Sequence, residues 1–192
     1  MPTASNEALE FLLTRRSRPA KMLTTPVPDR AELATLLTAA ARTPDHGKLE
    51  PWRFIVIERA ALERLTQQSA ARGAALGYDE EKIAKATGQF ANAHLVVAVV
   101  SSPKASEKIP QIEQLYSAGA VCLSLLNACL AAGWGANWLS GWISHDSDFV
   151  QANLGLAAHE TVAGFVHIGT ARQTPPERPR PDVEAITTWM TA

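Results

Sequence analysis

The stretch Arg42-Thr43-Pro44-Asp45-His46-Gly47-Lys48-Leu49-Glu50-Pro51-Trp52-Arg53-Phe54-Ile55-Val56-Ile57-Glu58 decides the fold. Its first half is a polar turn that Pro44 separates from the helix before it. Its second half, Trp52 to Glu58, is β-branched and aromatic and predicts a strand. Upstream, Asp29-x-x-Glu32 resembles a capping box and opens that helix, with Leu33, Leu36, Leu37 and Ala40 facing inward. Some thirty residues before the polar turn, Arg15-Arg16-Ser17 stands at the end of another apolar helix. Asn6 or Ser5 caps that helix, Glu7 suits its first turn, and Ala8, Leu9, Leu12 and Leu13 form its expected buried stripe. Pro19 blocks its continuation. Two polar helix ends followed by a strand opened by Pro-Trp form a constellation rarer than any isolated Arg-Arg pair.

Downstream, residues 60–90 read as helical, with Gly73 and Gly77 as breaks, and His94 to Ser101 reads as a buried strand. Pro110 opens a long apolar helix that stops near Gly133-Trp134-Gly135. Ala136 to Ile143 follows as a strand. Asp146 or Ser147 caps a short helix ended by Gly155, and Thr161 to Ile168 is a further strand. Residues 173–181 hold four prolines and two arginines, so they are extended and outside any sheet interior. A last short segment carries Ile186 and Trp189. Helices and strands mix without strict βαβ alternation, which predicts an α+β fold, and the length suits one domain over residues 1–192. No glycine-rich nucleotide loop of the Gly-x-Gly-x-x-Gly or Walker type follows a strand.

A hydrophobic share of 46% and a charged share of 19% describe an ordinary globular core. The net charge of -1 argues against wrapping nucleic acid. Basic side chains cluster at 15–21 and 172–180, which suits one small anionic ligand. Cys122 and Cys129 lie seven apart on one predicted helix, ~10 Å along it, too far for a disulfide. They read as buried thiols of a reducing, cytoplasmic compartment, and no basic start with an apolar run marks a signal peptide. The uncharged run 118–135 reaches the lower limit for a membrane span. Ser124, Asn127, Gly119, Gly133 and Gly135 favour instead a helix buried on all sides in a core or a dimer interface, with no membrane partner.

Several residues carry two readings on sequence alone. A helix C-terminus is the negative end of the dipole, so an anion held there needs strong compensating charge. Arg15, Arg16 and Ser17 supply it, and Arg grips phosphate bidentately. Arginines at a helix C-terminus are also favourable in themselves. Arg42 and His46 flank a turn in which Asp45 can bond its own backbone, or they contact a polar ring. Trp138-Leu139-Ser140-Gly141 offers a surface on which a flat ring could stack, or an ordinary core tryptophan. The histidines show no metal-ligand spacing, no Gly-x-Ser-x-Gly elbow occurs, and neither cysteine has an activating neighbour.

The chain resembles the nitroreductase family of FMN-dependent oxidoreductases, in its compact bacterial form. The resemblance rests on Leu12-Leu13-Thr14-Arg15-Arg16-Ser17, Arg42-Thr43-Pro44-Asp45-His46, Pro51-Trp52, the helix end Ala131-Ala132-Gly133, Trp138-Leu139-Ser140-Gly141, and Gly164 to Gly169-Thr170. It implies a homodimeric α+β sandwich around a mainly antiparallel sheet, with FMN at the dimer interface. Arg15, Arg16 and Ser17 would then hold the phosphate and ribityl chain. Arg42 and His46 would contact the flavin, from the partner subunit. Trp138, Leu139 and Ser140 would lie along the cofactor, and the nicotinamide would approach near Ala131–Gly133.

One departure stands out: compact relatives often carry Arg where this chain has Leu139. Arg178 or Arg180 in the tail could replace the lost contact. The resemblance further implies ping-pong hydride transfer from NAD(P)H through flavin N5 to a small acceptor, nitroaromatic or quinone. Two alternatives stay open: a specialised flavin enzyme on the same fold, for oxygen chemistry or dehalogenation, and a flavin-binding protein without turnover.

Overall fold

The structure is a computed structural model that describes residues 5–191. Helix α1 (Asn6–Thr14) begins where Ser5 Oγ accepts the Ala8 N–H. A 3-10 turn (Ala20–Met22) leads to the short strand β1 (Leu23–Thr24). Helix α2 (Arg30–Ala40) opens on the complete capping box: Asp29 Oδ1 accepts from Ala31 and Glu32, and Glu32 Oε2 accepts the Asp29 N–H. Strand β2 (Trp52–Glu58) has the bounds its β-branched run predicts. Helices α3 (Arg59–Ala75) and α4 (Glu80–Ala91) form a hairpin, followed by β3 (Leu95–Ser101). The chain ends with α5 (Gln111–Ala131), β4 (Gly135–Leu139), α6 (Trp142–His145), α7 (Ser147–Leu154), β5 (Thr161–Ala171) and an irregular tail.

The sheet runs β1-β5-β3-β2, with β4 also paired to β5, and every pairing is antiparallel. Strand β3 explains the layering. All its residues are buried, and successive side chains point to opposite faces. Val96, Ala98 and Val100 join the core under α3, α4, α6 and α7, where Leu62, Phe90, Ile143 and Phe149 lie. Leu95, Val97 and Val99 join the core under α2 and α5, with Leu33, Leu36, Val121, Leu125 and Cys129. The result is the α+β sandwich with an antiparallel sheet that the sequence implied.

Three local expectations change. Helix α1 buries none of its residues; Leu9, Leu12 and Leu13 are exposed, because nothing among the described residues covers that face. Gly73 is no break. It lies buried inside α3, and a Cβ there would meet Ile83 Cγ1 at 2.7 Å, so it is the contact point of the α3–α4 hairpin. Gly77, at φ +68°, is the break. Strand β4 stops at Leu139, since Trp142 turns into α6 and packs edge-on against Tyr78, ring centroids 5.0 Å apart.

Helix α5 is buried on one face only. Gln114, Ser117, Ala118, Val121, Cys122, Leu125 and Leu126 point inward, while Ile112, Leu115, Tyr116 and Leu123 are exposed. By length and composition α5 could cross a membrane, but 44% of its apolar window is buried within this fold. Both cysteines are free and buried, and burial pushes their thiols up to about 12.

Candidate functional site

Arg15 caps the C-terminus of α1, its N–H on Phe11 O at 2.7 Å. The next residues leave the helix, and the Arg18 N–H donates to Ala136 O at 2.8 Å. That bond ties the segment to β4 and opens a cleft of about 460 Å³, lined by Phe11, Arg15, Arg16, Arg18, Leu130, Gly133, Gly135 and Arg172 among others. Arg15 Nη2 donates to Ser17 Oγ at 3.0 Å, and Arg16 Nη1 to the Ser17 carbonyl at 3.2 Å.

These bonds leave the arginines under-satisfied. Arg15 Nε, Arg16 Nε and Arg18 Nη1 are buried with no acceptor among the described residues. A buried donor left unpaired costs about 1–3 kcal/mol, so a native fold that gathers three of them is arranged for something beyond its own stability. Arg15 titrates below the usual arginine range, first because it is partly desolvated, then because Arg180 and Arg16 add like charge. Arg180 arrives from the tail: its Nη2 donates to Arg15 O at 3.4 Å and pairs with Glu177 at 2.7 Å. Arg178 is exposed, and its backbone N–H donates to Glu177 Oε1. The tail therefore brings one of its two arginines to this cleft.

Trp138 lies three residues beyond Gly135 on β4, about 10 Å along the strand. Strand alternation puts it on the same face as Ala136, the α5 side of the sheet. Its indole occupies the space above Gly164, where a Cβ would clash with Nε1 and Cδ1. The absence of a side chain at 164 thus lets the ring lie against the backbone of β5, with 38% of the residue exposed. Leu139 is half-buried, and Ser140 is exposed just before the extended Gly141.

Arg42 and His46 sit elsewhere. Their loop runs along α5: Thr43 Oγ1 shares a hydrogen bond with Ser124 Oγ at 2.8 Å, Ser117 Oγ donates to Pro44 O at 3.0 Å, and His46 Nδ1 bonds Glu113 Oε2 at 2.7 Å. Asp45 Oδ1 accepts the Leu49 and Glu50 N–H groups, which bends the loop tightly. Lys48 and Glu50 both take positive φ, at 53° and 48°, an unusual concentration of backbone strain for non-glycine residues. From Glu113 to Leu130, at the cleft, is ~25 Å along α5. Within one chain, then, Arg15, Arg16, Ser17 and Arg180 come together with Trp138 nearby, whereas His46 stands at the far end of α5 and Arg42 beside Thr43, which bonds Ser124 partway along it. Arg18 and Arg172 join the cleft without having been singled out individually, although both lie in the basic clusters 15–21 and 172–180.

Comparison with known proteins agrees with this architecture. The model of the nitroreductase family matches residues 12–170. The chain is 35% identical over 164 residues to Putative NAD(P)H nitroreductase YdjA of Escherichia coli K12, covering 85% of this chain and 88% of that protein. Among solved structures, a nitroreductase-like family protein from Bacillus cereus superposes with a TM-score of 0.80 at 20% identity, covering 100% of both chains. A nitroreductase with bound FMN from Bacteroides fragilis superposes with a TM-score of 0.75 at 20% identity, covering 97% of this chain and 100% of that one. With its sheet, its helix layers and most of its sequence matching, the chain belongs to the nitroreductase family.

Proposed function

We propose that this protein is an FMN-dependent NAD(P)H oxidoreductase of the nitroreductase and quinone-reductase type, acting on a small-molecule electron acceptor. The observation that carries the reading is the pair of buried guanidinium N–H groups, on Arg15 and Arg16, that find no acceptor among the described residues around one cleft. A phosphate there supplies the missing negative charge. The indole of Trp138, half-open on the same strand that borders the cleft, supplies a flat surface at the distance a ribityl chain spans. The residues present therefore fit a phosphate-bearing flavin. Family membership, the name of the Escherichia coli relative and the FMN held by the Bacteroides fragilis structure support the same assignment.

Arg15, Ser17 and Arg180 hold the phosphate, Arg16 the adjoining ribityl hydroxyls, and Trp138, Leu139 and Ser140 flank the ring. Arg178, exposed beside Glu177, is a weaker candidate than Arg180. The chemistry such a cofactor supplies when bound is reversible two-electron acceptance, taken from NAD(P)H and passed to a second acceptor in alternation. The chain's part is to bind, orient and exclude water; no side chain is required as an acid or base. Two buried thiols with raised pKa values suit a reducing, cytoplasmic setting.

The working unit is a homodimer. Exposed leucines on α1 and the exposed apolar stripe of α5 need a cover, and a second copy with α5 running antiparallel provides it. That arrangement carries Arg42 and His46 of one chain toward the cleft of the other, closing the ~25 Å of helix that separates His46 from the cleft within a single subunit.

A visible spectrum of the purified protein tests the cofactor, and NAD(P)H oxidation with nitro and quinone acceptors tests the activity. A yellow, dimeric protein with acceptor-dependent turnover is expected. A colourless protein that rejects FMN refutes the reading, and a yellow one that fails to oxidise NAD(P)H whatever the acceptor is a flavin-binding protein without turnover. Sedimentation showing a folded, FMN-loaded monomer at low micromolar concentration contradicts the dimer.

A further inference from the structure

We propose that Arg18 and Arg172 form a second anion subsite on the cleft, beside the flavin phosphate. Its ligand is the 2′-phosphate of NADPH, which makes the enzyme prefer NADPH over NADH. The inference rests on the cofactor reading above and adds the identity of the reductant.

The argument starts from charge. Arg15, Arg16, Arg18 and Arg172 all line the cleft, and Arg180 reaches it from the tail. Among the described residues only Glu177 faces this group as an ion-pair partner, and it is engaged by Arg180. Five guanidinium groups against one carboxylate leave a strong positive excess. A phosphomonoester carries about -1.5 to -2 at neutral pH, so one FMN phosphate neutralises only about half of it. The remainder is a site for a second anion that is present together with the flavin.

Geometry divides the arginines into two groups. Arg15, Ser17 and Arg180 are bonded to one another, and Arg16 leans on the Ser17 carbonyl. Arg18 and Arg172 stand apart from them, on either side of the 3-10 turn Ala20–Met22. The Arg18 N–H is fixed on Ala136 O, and the Arg172 N–H on Met22 O at 3.2 Å. Arg172 Nη2 donates to Thr24 Oγ1 at 3.2 Å, while Arg18 Nη1 has no acceptor. Both guanidinium groups are thus held from anchored backbone with donors to spare. Two arginines match the charge and oxygen count of a phosphomonoester dianion. The pyrophosphate, common to NADH and NADPH, carries one charge per phosphorus and matches the pair less well. Inorganic phosphate shares the monoester's chemistry, so the test has to separate the two.

Full-length protein loaded with FMN is titrated calorimetrically with 2′,5′-ADP, with 5′-AMP and with inorganic phosphate. Binding of 2′,5′-ADP is expected to exceed that of 5′-AMP by ~10-fold or more, the effect of a charge-assisted contact. Arg18→Ala and Arg172→Ala should each erase most of that difference and raise KM for NADPH by a similar factor. KM for NADH, kcat and FMN affinity should stay unchanged, and Arg172→Lys should restore part of the preference. Equal binding of 2′,5′-ADP and 5′-AMP overturns the proposal. Inorganic phosphate binding as tightly as 2′,5′-ADP marks a general phosphate site and overturns the nucleotide assignment. Variants that lose FMN at an unchanged NADPH-to-NADH ratio assign both arginines to the flavin instead. Failure of the wild-type protein to take up FMN sinks the cofactor reading itself, whereas FMN uptake without nucleotide discrimination sinks only this inference.

Discussion

Arg53 and Arg15 are both half-buried arginines, yet the fold treats them in opposite ways. Arg53, on β2, meets Glu160 through two bonds, Nε to Oε1 at 2.8 Å and Nη2 to Oε2 at 2.7 Å. Arg72 likewise reaches Asp146 and Asp148, both at the start of α7. Each of these arginines locks two distant parts of the chain together. Among the described residues, Arg15, Arg16 and Arg18 form no ion pair, and each keeps a buried N–H without an acceptor. One set of arginines is satisfied within the fold and stabilises it. The other holds charge in reserve, which costs stability and leaves room for a ligand.

Substitution of Arg15 is the most forceful test of that contrast. Arg15→Ala should weaken FMN binding by ~10- to 150-fold, the worth of about 1.5–3 kcal/mol for a charge-assisted phosphate contact. The melting temperature of the apoprotein should hold or rise, because a poorly satisfied charge has been removed. Unchanged FMN affinity on titration of the apoprotein would return Arg15 to the role of a helix-end charge. Glu160→Gln should do the reverse. It should cost about 1–3 kcal/mol of stability, or about 2–4 °C in Tm per kcal/mol for a chain of this size, with FMN affinity untouched. A chemical denaturation midpoint equal to wild type would remove Arg53 from the stabilising set.

Acid should read out the internal groups rather than the cleft. The Arg53 bonds hold the Glu160 carboxyl down at about 2, below its ordinary 4.5. Its stabilisation is therefore complete above pH 4.5 and is lost as the pH falls toward 2. Burial lowers His167 from 6.5 to about 4. The unfolded chain takes up that proton first, so His167 erodes stability as the pH drops from 6.5 to 4 and is silent above. Denaturation curves for His167→Leu should be flatter than wild type across that interval; an identical slope would show that the ring does not titrate as its burial implies. The smallest effect is expected at Arg180. Its contact with Arg15 is long and exposed, and Arg180→Ala should lower FMN affinity by only a few-fold. FMN retention on extensive dialysis, equal to that of the full chain after deletion of residues 178–192, would exclude the tail from the site.

Much of the fold was legible because the deciding signals are local. The capping box at Asp29, the β-branched run 52–58 and the Gly155 helix stop each act within a few residues, and each appears where expected. What sequence could not show depends on contacts between distant residues. Gly73 looks like a breaker until Ile83 is seen pressed against it. The stripe of α1 looks buried, but none of the described residues covers it. The same distinction holds for the site. Arg15-Arg16-Ser17 was visible as a helix-end motif. Arg172 reaches the cleft only because β1 pairs with the last residues of β5, Leu23 opposite Ala171. The split between Arg15 and His46 emerges only once α5 has a length and a direction.

The indole resting on Gly164 has a consequence for anyone wishing to change what this protein reduces. Position 164 admits no side chain without evicting Trp138, so a library randomised there should return glycine alone among folded, flavin-retaining clones. The outer side of the same ring is partly exposed, at 38% of the residue, and the neighbouring Ser140 is exposed. Diversity for new acceptors belongs on that outer rim, over a floor that tolerates none.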